Sequence, residues 1–293
     1  MPDGTHTVVG AVSSLWRYPV KSMIGEELNA ARLSDDGLLG DRAYALMDSL
    51  EEKVATAKNP RKWPTLLAFA ANFVERSGSP QASAVRIRLP DGTMVASDQS
   101  DINQVLSKVL NREVTLAAIE RRAEDRAQAS VPVFPTAKAE EYWPDIDGLD
   151  HRDTVTDFEL PTGTFFDCAT VHLLTTATLD RLRQFYPQGR FEVRRFRPNI
   201  VVTPVEGTQT FVEDSWIGHT LVVGDEVRLN VTAPCGRCVM TTLAQGDLPA
   251  DSGILRTAVQ QHQANVGVYA TVVRSGTIRR GDRIRLMCNR EHR

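Results

Sequence analysis

Cysteine is scarce in this sequence: Cys168, Cys235, Cys238 and Cys288 are the only four among 293 residues. A chain of this length can bury a core without disulfides. Its N-terminus, Met1 to Thr7, has no basic stretch leading into an apolar run, so a secretory signal is not expected. The cysteines read as thiols in a reducing cytoplasm, where their use is metal or redox chemistry. Long hydrophobic runs are also missing. The longest, near Leu66 to Val74, is broken by Asn72 and falls short of the ~18 apolar residues that span a bilayer, so no membrane association is expected. There is no basic excess either. The formal net charge is −3, whereas nucleic-acid binders carry basic domains, so no nucleic-acid partner is expected. A local basic pocket for a small anion stays compatible with this balance. Internal repeats and low-complexity tracts are absent. With 42% hydrophobic and 24% charged residues, the chain reads as one large or two moderate globular domains.

Strand signals cluster at both ends. Val8 to Trp16 reads as a strand bounded by Gly10 and Pro19, and Arg42 to Met47 as a short one. Val85 to Leu89 alternates apolar and basic residues, then turns at Pro90-Asp91-Gly92-Thr93 into Met94-Val95, a hairpin pattern. Apolar residues at helical spacing mark helices over Ile102 to Leu110, Thr176 to Phe185 and Leu255 to His262. Ile200 to Val202, Leu221 to Val223, Val227 to Val231, Gly267 to Val273 and Ile284 to Leu286 read as further strands. From Ala118 to Asp150 the chain is polar, with charges over Glu120 to Gln128 and prolines at 132, 135 and 144; this predicts a linker or site rim. The pattern is mainly β (α+β), two β-rich units with a few helices.

The sharpest motif is Ala233-Pro234-Cys235-Gly236-Arg237-Cys238, where an alternating strand is predicted to end at Pro234. Glycine permits close backbone approach to a ligand. A neighbouring cation stabilises a thiolate, and thiolate is a soft donor for transition metals. A structural zinc site needs further ligands, but no second C-x-x-C follows. A pair of ordinary buried thiols is the plain alternative, and a zinc or redox C-x-x-C module is another. Elsewhere, Lys21 and Ser22 of Tyr18-Pro19-Val20-Lys21-Ser22 suit a phosphate, against the usual solvated lysine. Asp41-Arg42 could be a mere surface ion pair. In Arg194-Arg195-Phe196-Arg197-Pro198-Asn199, the following proline predicts extended backbone at Arg197. The Arg197 fork suits bidentate contact with a phosphate or a heterocycle carbonyl, and Asn199 offers donor and acceptor; the alternative is a charged strand entry facing water. In Phe166-Asp167-Cys168-Ala169-Thr170-Val171-His172, Asp167 could accept from a pterin amino group or order an arginine. His172 reads as a core histidine, and Thr175 or Thr176 as a helix cap.

Together these segments have a familiar order. Leu15-Trp16-Arg17-Tyr18-Pro19-Val20-Lys21-Ser22 resembles the start of a MOSC N-terminal β-barrel domain. Arg197-Pro198-Asn199-Ile200, Asp214-Ser215-Trp216 and Cys235-Gly236-Arg237-Cys238 resemble the MOSC domain itself. Over Val8 to Leu286 the pattern is similar to the amidoxime-reducing component family and its bacterial counterparts. Cys168 departs from the small or hydroxyl residue common there, and Leu243 to Gly253 departs from the expected Asp-Pro-x-Thr-Gly.

The resemblance implies a MOSC N-terminal β-barrel domain over 6–125, a linker or rim over 126–150 and a MOSC barrel over 151–293. It implies molybdenum cofactor (Mo-molybdopterin) with Cys238 as the metal ligand and Cys235 as its neighbour. Lys21, Ser22, Arg42, Asp167, Arg197, Asn199, Gly236 and Arg237 are the implied cofactor contacts, with Arg237 beside Cys238 at the reacting centre. The implied activity is reduction of N-hydroxylated compounds such as amidoximes or hydroxylamino purines. The four cysteines lack the spacing of a plant-type iron–sulfur cluster, so electrons are expected from a separate ferredoxin- or cytochrome-type protein. The alternative is a cofactor or sulfur carrier acting through Cys238 without its own turnover. Pyridoxal phosphate is not expected, because no segment resembles a sulfurase.

Overall fold

The computed structural model describes residues 6–74, 84–119, 137–208 and 210–287. Glu120–Gln128, Pro132, Pro135 and Cys288 therefore lie outside the described residues. The first half carries β1 (His6–Arg17), β2 (Glu26–Leu28), β3 (Ala30–Ser34), β4 (Gly37–Leu38), β5 (Tyr44–Asp48), β6 (Ala70–Phe73), β7 (Val85–Arg88), β8 (Met94–Ala96), α1 (Ile102–Leu110) and β9 (Val114–Ala118). Next come β10 (Lys138–Trp143), β11 (Thr154–Glu159), β12 (Val171–Thr175), α2 (Thr176–Phe185), α3 (Val193–Phe196) and β13 (Ile200–Pro204). The chain closes with β14 (Thr220–Val223), β15 (Val227–Gly236), α4 (Gly253–His262), β16 (Asn265–Arg274), β17 (Gly276–Arg279) and β18 (Arg283–Met287). The fold is mainly β, as the patterning predicts. Among the described residues, no helix is long and apolar enough to cross a membrane.

The large sheet runs β13-β12-β16-β15-β14-β18-β1, and β1 pairs again with β13, so seven strands close into a barrel with β2 attached outside β1. Closure removes the open edges that an unrolled sheet would expose. Its interior follows from period-two patterning: Val171 and Leu173, Ile200 and Val202, Leu221 and Val223, and Val227, Leu229 and Val231 all pack into one core with Trp216. The β12–β13 pair is parallel and so needs a crossover, which α2 and α3 supply. The Thr175 hydroxyl caps α2 by accepting from Thr178 N at 3.1 Å, as its residue type suggests.

The first unit consists of short sheets, β5–β9 and β6–β7–β8, with α1 packed on them. The β7–β8 hairpin turns where Gly92 N donates to Leu89 O. The core of this unit contains Met23, Leu46, Trp63, Phe69 and Ile87, and Met240 from the second half belongs to it, with Cys238 packed alongside. The two units also exchange strands. β1 completes the barrel, while β17 returns to pair with β3.

Three local expectations are corrected. Six residues of the predicted linker or rim form a strand, because β10 pairs with β11 along its whole length and lets Lys53 and Lys58 engage Glu140 and Glu141. Strand β15 continues through Pro234 to Gly236, since this stretch stays paired to β16 across a register shift. Arg197 is left-handed (φ 53°) and caps the single-turn α3, rather than extended. The proline preference is overridden because Arg197 N bonds Val193 O and its guanidinium is buried against Tyr18.

Candidate functional site at the barrel mouth

Leu15 of β1 pairs with Ile200 of β13. This register carries the two segments beyond those residues, 16–22 and 197–199, out of the barrel side by side. Trp16 N donates to Asn199 O at 2.9 Å, and the Tyr18 hydroxyl donates to Pro198 O at 3.1 Å. The loop before β5 closes on the same place: Lys21 N donates to Tyr44 O, and Arg42 N to Tyr18 O, each at 2.8 Å. Motifs far apart in sequence thus frame one pocket of about 590 Å³ including its open mouth.

Lys21, Ser22, Arg42, Asp167, Arg197, Asn199 and Arg237 all line this pocket. Gly236 and Cys238 are not among its lining residues, although Arg237 and Met240 on either side of Cys238 are. Gly236 is exposed at the end of β15, with nothing nearer to an added Cβ than Asn265 Oδ1 at 3.9 Å. Packing of the chain itself therefore does not require glycine there.

None of the predicted cations is a solvated surface group. Lys21 is 6% exposed and donates to Phe165 O at 2.8 Å while pairing with Asp167. Asp41 is fully buried: it accepts from Tyr18 N at 2.7 Å and Asn199 Nδ2 at 2.9 Å, and pairs with Arg42. Arg42 and Arg197 both stack on the Tyr18 ring, at 4.5 and 4.1 Å. Arg197 Nη1 also donates to Met23 O at 2.5 Å. Burial, with Arg42 adding repulsion, lowers Arg197 to about 10. Ser22, Arg42 and Arg197 are all left-handed, with φ of 63°, 47° and 53°. Such strain on non-glycine residues persists where surrounding contacts over-determine it, and it gathers at functional sites.

Asn199 lines the pocket and also braces its wall. Its Nδ2 donates to Asp41 Oδ2 and Trp16 O, and its Oδ1 accepts from His172 N. The amide is committed to tying β1, β12 and the Asp41 loop together, so it positions the site from within the wall.

Burial opposes charge on Asp167, but Lys21, Lys58 and Arg42 outweigh it and hold the carboxyl well below its usual value near 3.8. A depressed folded-state value contributes stability that is complete above the unfolded value and is lost as pH falls through the folded one. Urea unfolding between pH 6 and pH 2 is therefore expected to show a steeper loss of stability below about pH 4 for the wild type than for Asp167→Asn. Parallel curves would remove this contribution.

The cysteines divide sharply. Cys235 is fully buried, and Arg237 Nη1 donates to its sulfur at 2.8 Å. Burial would raise its thiol, but Arg237, His172 and Tyr269 bring it down to about 6. Cys238 goes the other way: burial and then the Glu141 charge push it up to about 11, against Lys58 and Arg237. The arginine between the two thiols thus directs its hydrogen bond to the first.

Sequence reasoning missed Lys58, which lies 3.3 Å from Glu141 and 3.5 Å from Asp167. Burial works against its charge, yet Asp167, Cys238 and Glu141 keep it above the usual lysine range. It also missed Tyr269, which lines the pocket, and took His172 as core only. His172 is buried and its Nε2 lies 3.1 Å from Val266 O, so it is a satisfied histidine and a pocket wall at once. Gly267 makes that placement possible. With φ 84°, a Cβ there would come within 2.4 Å of both His172 Nε2 and Leu173 O. Gly267→Ala is expected to destabilise the fold by about 1–3 kcal/mol; a wild-type urea midpoint would contradict it.

Known families match both halves of the chain. The family model described as MOSC N-terminal beta barrel domain matches residues 9–131, and that described as MOSC domain matches residues 161–285. The chain is 24% identical over 301 residues to mitochondrial amidoxime reducing component 2 of Rattus norvegicus, covering 94% of this chain and 82% of that protein. It is 23% identical over 312 residues to the Bos taurus protein of the same name, with the same coverage. For mitochondrial amidoxime-reducing component 1 of Homo sapiens the identity is 24% over 302 residues, covering 95% and 83%.

Proposed function

We propose that this chain, which belongs to the MOSC family and carries a MOSC N-terminal beta barrel domain ahead of its MOSC domain, is a molybdenum-cofactor-dependent reductase of N-hydroxylated compounds. The observation that carries this reading is the convergence of Lys21, Arg42, Arg197 and Arg237 on one pocket where, among the described residues, Asp167 is the only lining carboxylate. Amidoximes and hydroxylamino purines are the substrate class, the cytoplasm is the compartment, and a ferredoxin- or cytochrome-type protein is the electron donor.

The residues present fit an anionic, phosphate-bearing pterin. Arg237 Nε is buried without a hydrogen-bond partner, and a buried donor left unpaired costs about 1–3 kcal/mol. The Ser22 oxygen accepts from Ala57 N at 3.0 Å, which leaves its hydrogen to donate into the pocket. In this reading Lys21, Ser22, Arg42 and Arg197 hold phosphate and pterin, Asp167 orients Lys21, and Asn199 holds Asp41 and so Arg42. Cys238 would be the thiolate ligand, with Gly236 and Arg237 shaping its surroundings. When bound, the cofactor supplies the two-electron redox chemistry. The chain's own residues bind, orient and compensate its charge.

The test is turnover. Cofactor-loaded protein given an amidoxime and an artificial electron donor is expected to produce the amidine. Bound cofactor without turnover would instead support a carrier acting through Cys238.

A further inference from the structure

The pocket that gathers cations also carries a carboxylate, and the arrangement defeats itself if Lys21 alone answers that charge. Asp167 lines the wall beside Lys21 and pairs with it through Oδ1. A lysine neutralised in this way offers little charge to an anion, and an Asp167 left without it repels one. The second oxygen of Asp167 removes the conflict. Lys58 Nζ lies 3.5 Å from Asp167 Oδ2 and 3.3 Å from Glu141 Oε2. The charges therefore alternate along one row, Lys21, Asp167, Lys58 and Glu141, and each Asp167 oxygen faces its own ammonium.

Lys58 is placed by its backbone. Its N donates to Thr56 Oγ1 at 3.2 Å, and its O accepts from Tyr142 N at 2.8 Å. The preceding residues touch the site itself: Thr56 lines the pocket, and Ala57 N donates to Ser22 Oγ. On the other side, Lys58 Nζ lies 4.5 Å from the centre of the Phe158 ring. Phe158 is opposite Ala139 in the β10–β11 hairpin. Glu141 is two residues further along β10, so both project from one face of the hairpin. The Lys58 and Glu141 side chains are 14% and 13% exposed, and charges this far from water act on each other more strongly than a surface pair does. Lys58 is not among the residues lining the pocket, so it acts there through Asp167.

We infer that Lys58 is a positioning residue of the anion pocket, holding the second oxygen of Asp167 so that Lys21 turns its charge to a bound phosphate. The inference rests on the reading of this pocket as an anion site and not on the reduction. A simple latch between β10 and residues 56–58 is the competing role. That contact is already made by the bond from Tyr142 N to Lys58 O, and Lys53 pairs with Glu140 beside it. The two roles predict different signs. In a latch, Lys58 and Glu141 matter equally, and loss of either loosens the pocket. As the counter-ion of Asp167, Lys58 supports anion binding, whereas Glu141 only competes for its charge.

The whole chain, purified without cofactor, is titrated with inorganic phosphate by calorimetry at one fixed ionic strength. Lys58→Met keeps most of the side chain without its charge and is expected to weaken phosphate binding by about tenfold. The same change made in Asp167→Asn is expected to cost less than about threefold, because no carboxylate is left there to neutralise. Glu141→Gln is expected to bind phosphate as tightly as the wild type or more so, and this variant decides the matter where Lys58→Met does not fold. Wild-type affinity in Lys58→Met would overturn the inference. So would an equal loss with and without the Asp167 carboxylate, weaker binding by Glu141→Gln, or no phosphate binding by the wild type. Amidoxime turnover is a separate measurement: its absence beside the expected phosphate results sinks the reductase and leaves Lys58 in its place.

Discussion

Cys238→Ser is expected to lower the molybdenum content of the purified protein by at least about tenfold. Loss of groups that only support a metal ligand already costs about 10–100-fold in affinity, and serine replaces a soft donor by a hard one. The companion variant Cys235→Ser makes the measurement decisive. Arg237 bonds Cys235, while burial and the Glu141 charge push the Cys238 thiol up to about 11. By thiol chemistry alone Cys235 would be the better ligand. The family pattern points instead to Cys238, which packs beside Met240 at the contact between the two units. Metal analysis separates the two: molybdenum retained in Cys238→Ser and lost in Cys235→Ser would exchange the roles. Equal content in wild type and Cys238→Ser would remove Cys238 as a ligand altogether.

The largest stability effect is expected at Asp41. This carboxylate is fully buried and joins three segments through Tyr18 N, Asn199 Nδ2 and Arg42. Asp41→Ala leaves a half-buried guanidinium, an amide and a backbone donor without this acceptor. Breaking a buried ion pair from one side costs about 3–5 kcal/mol. For a chain of this size that lowers Tm by on the order of 10 °C. Asp41→Asn keeps one acceptor oxygen and is expected to lose less. Thermal unfolding followed by circular dichroism checks both, and an Asp41→Ala variant melting with the wild type would show that the segments are held by other contacts.

Legibility varied with how local each feature is. Helices α1 and α2 were readable to their end residues, and a cap at Thr175 or Thr176, of which the structure uses Thr175, because hydrophobic spacing and capping chemistry lie within one short window. The β7–β8 hairpin was readable for the same reason. Strand β12 was not identified: five consecutive buried residues, Val171 to Thr175, carry no alternation. β10 was hidden by its charges, which face Lys53 and Lys58 rather than water. Among site residues, the charged ones were legible as types that bind anions. Lys58 and Tyr269 stood in no motif and His172 read as core; their part in the site became visible only when the fold brought them together.

By itself the sequence determined that the chain is mainly β, where most elements lie, and which cations and thiols are available, since periodicity and side-chain chemistry are properties of neighbouring residues. Tertiary structure alone decided that β1 closes the barrel of the second unit, that Arg197 turns left-handed to bury its charge over Tyr18, and that Arg237 bonds Cys235. Those outcomes depend on the register of β1 against β13 and of β15 against β16. Such a register is a balance of contacts between residues far apart in the chain, which no window of sequence contains.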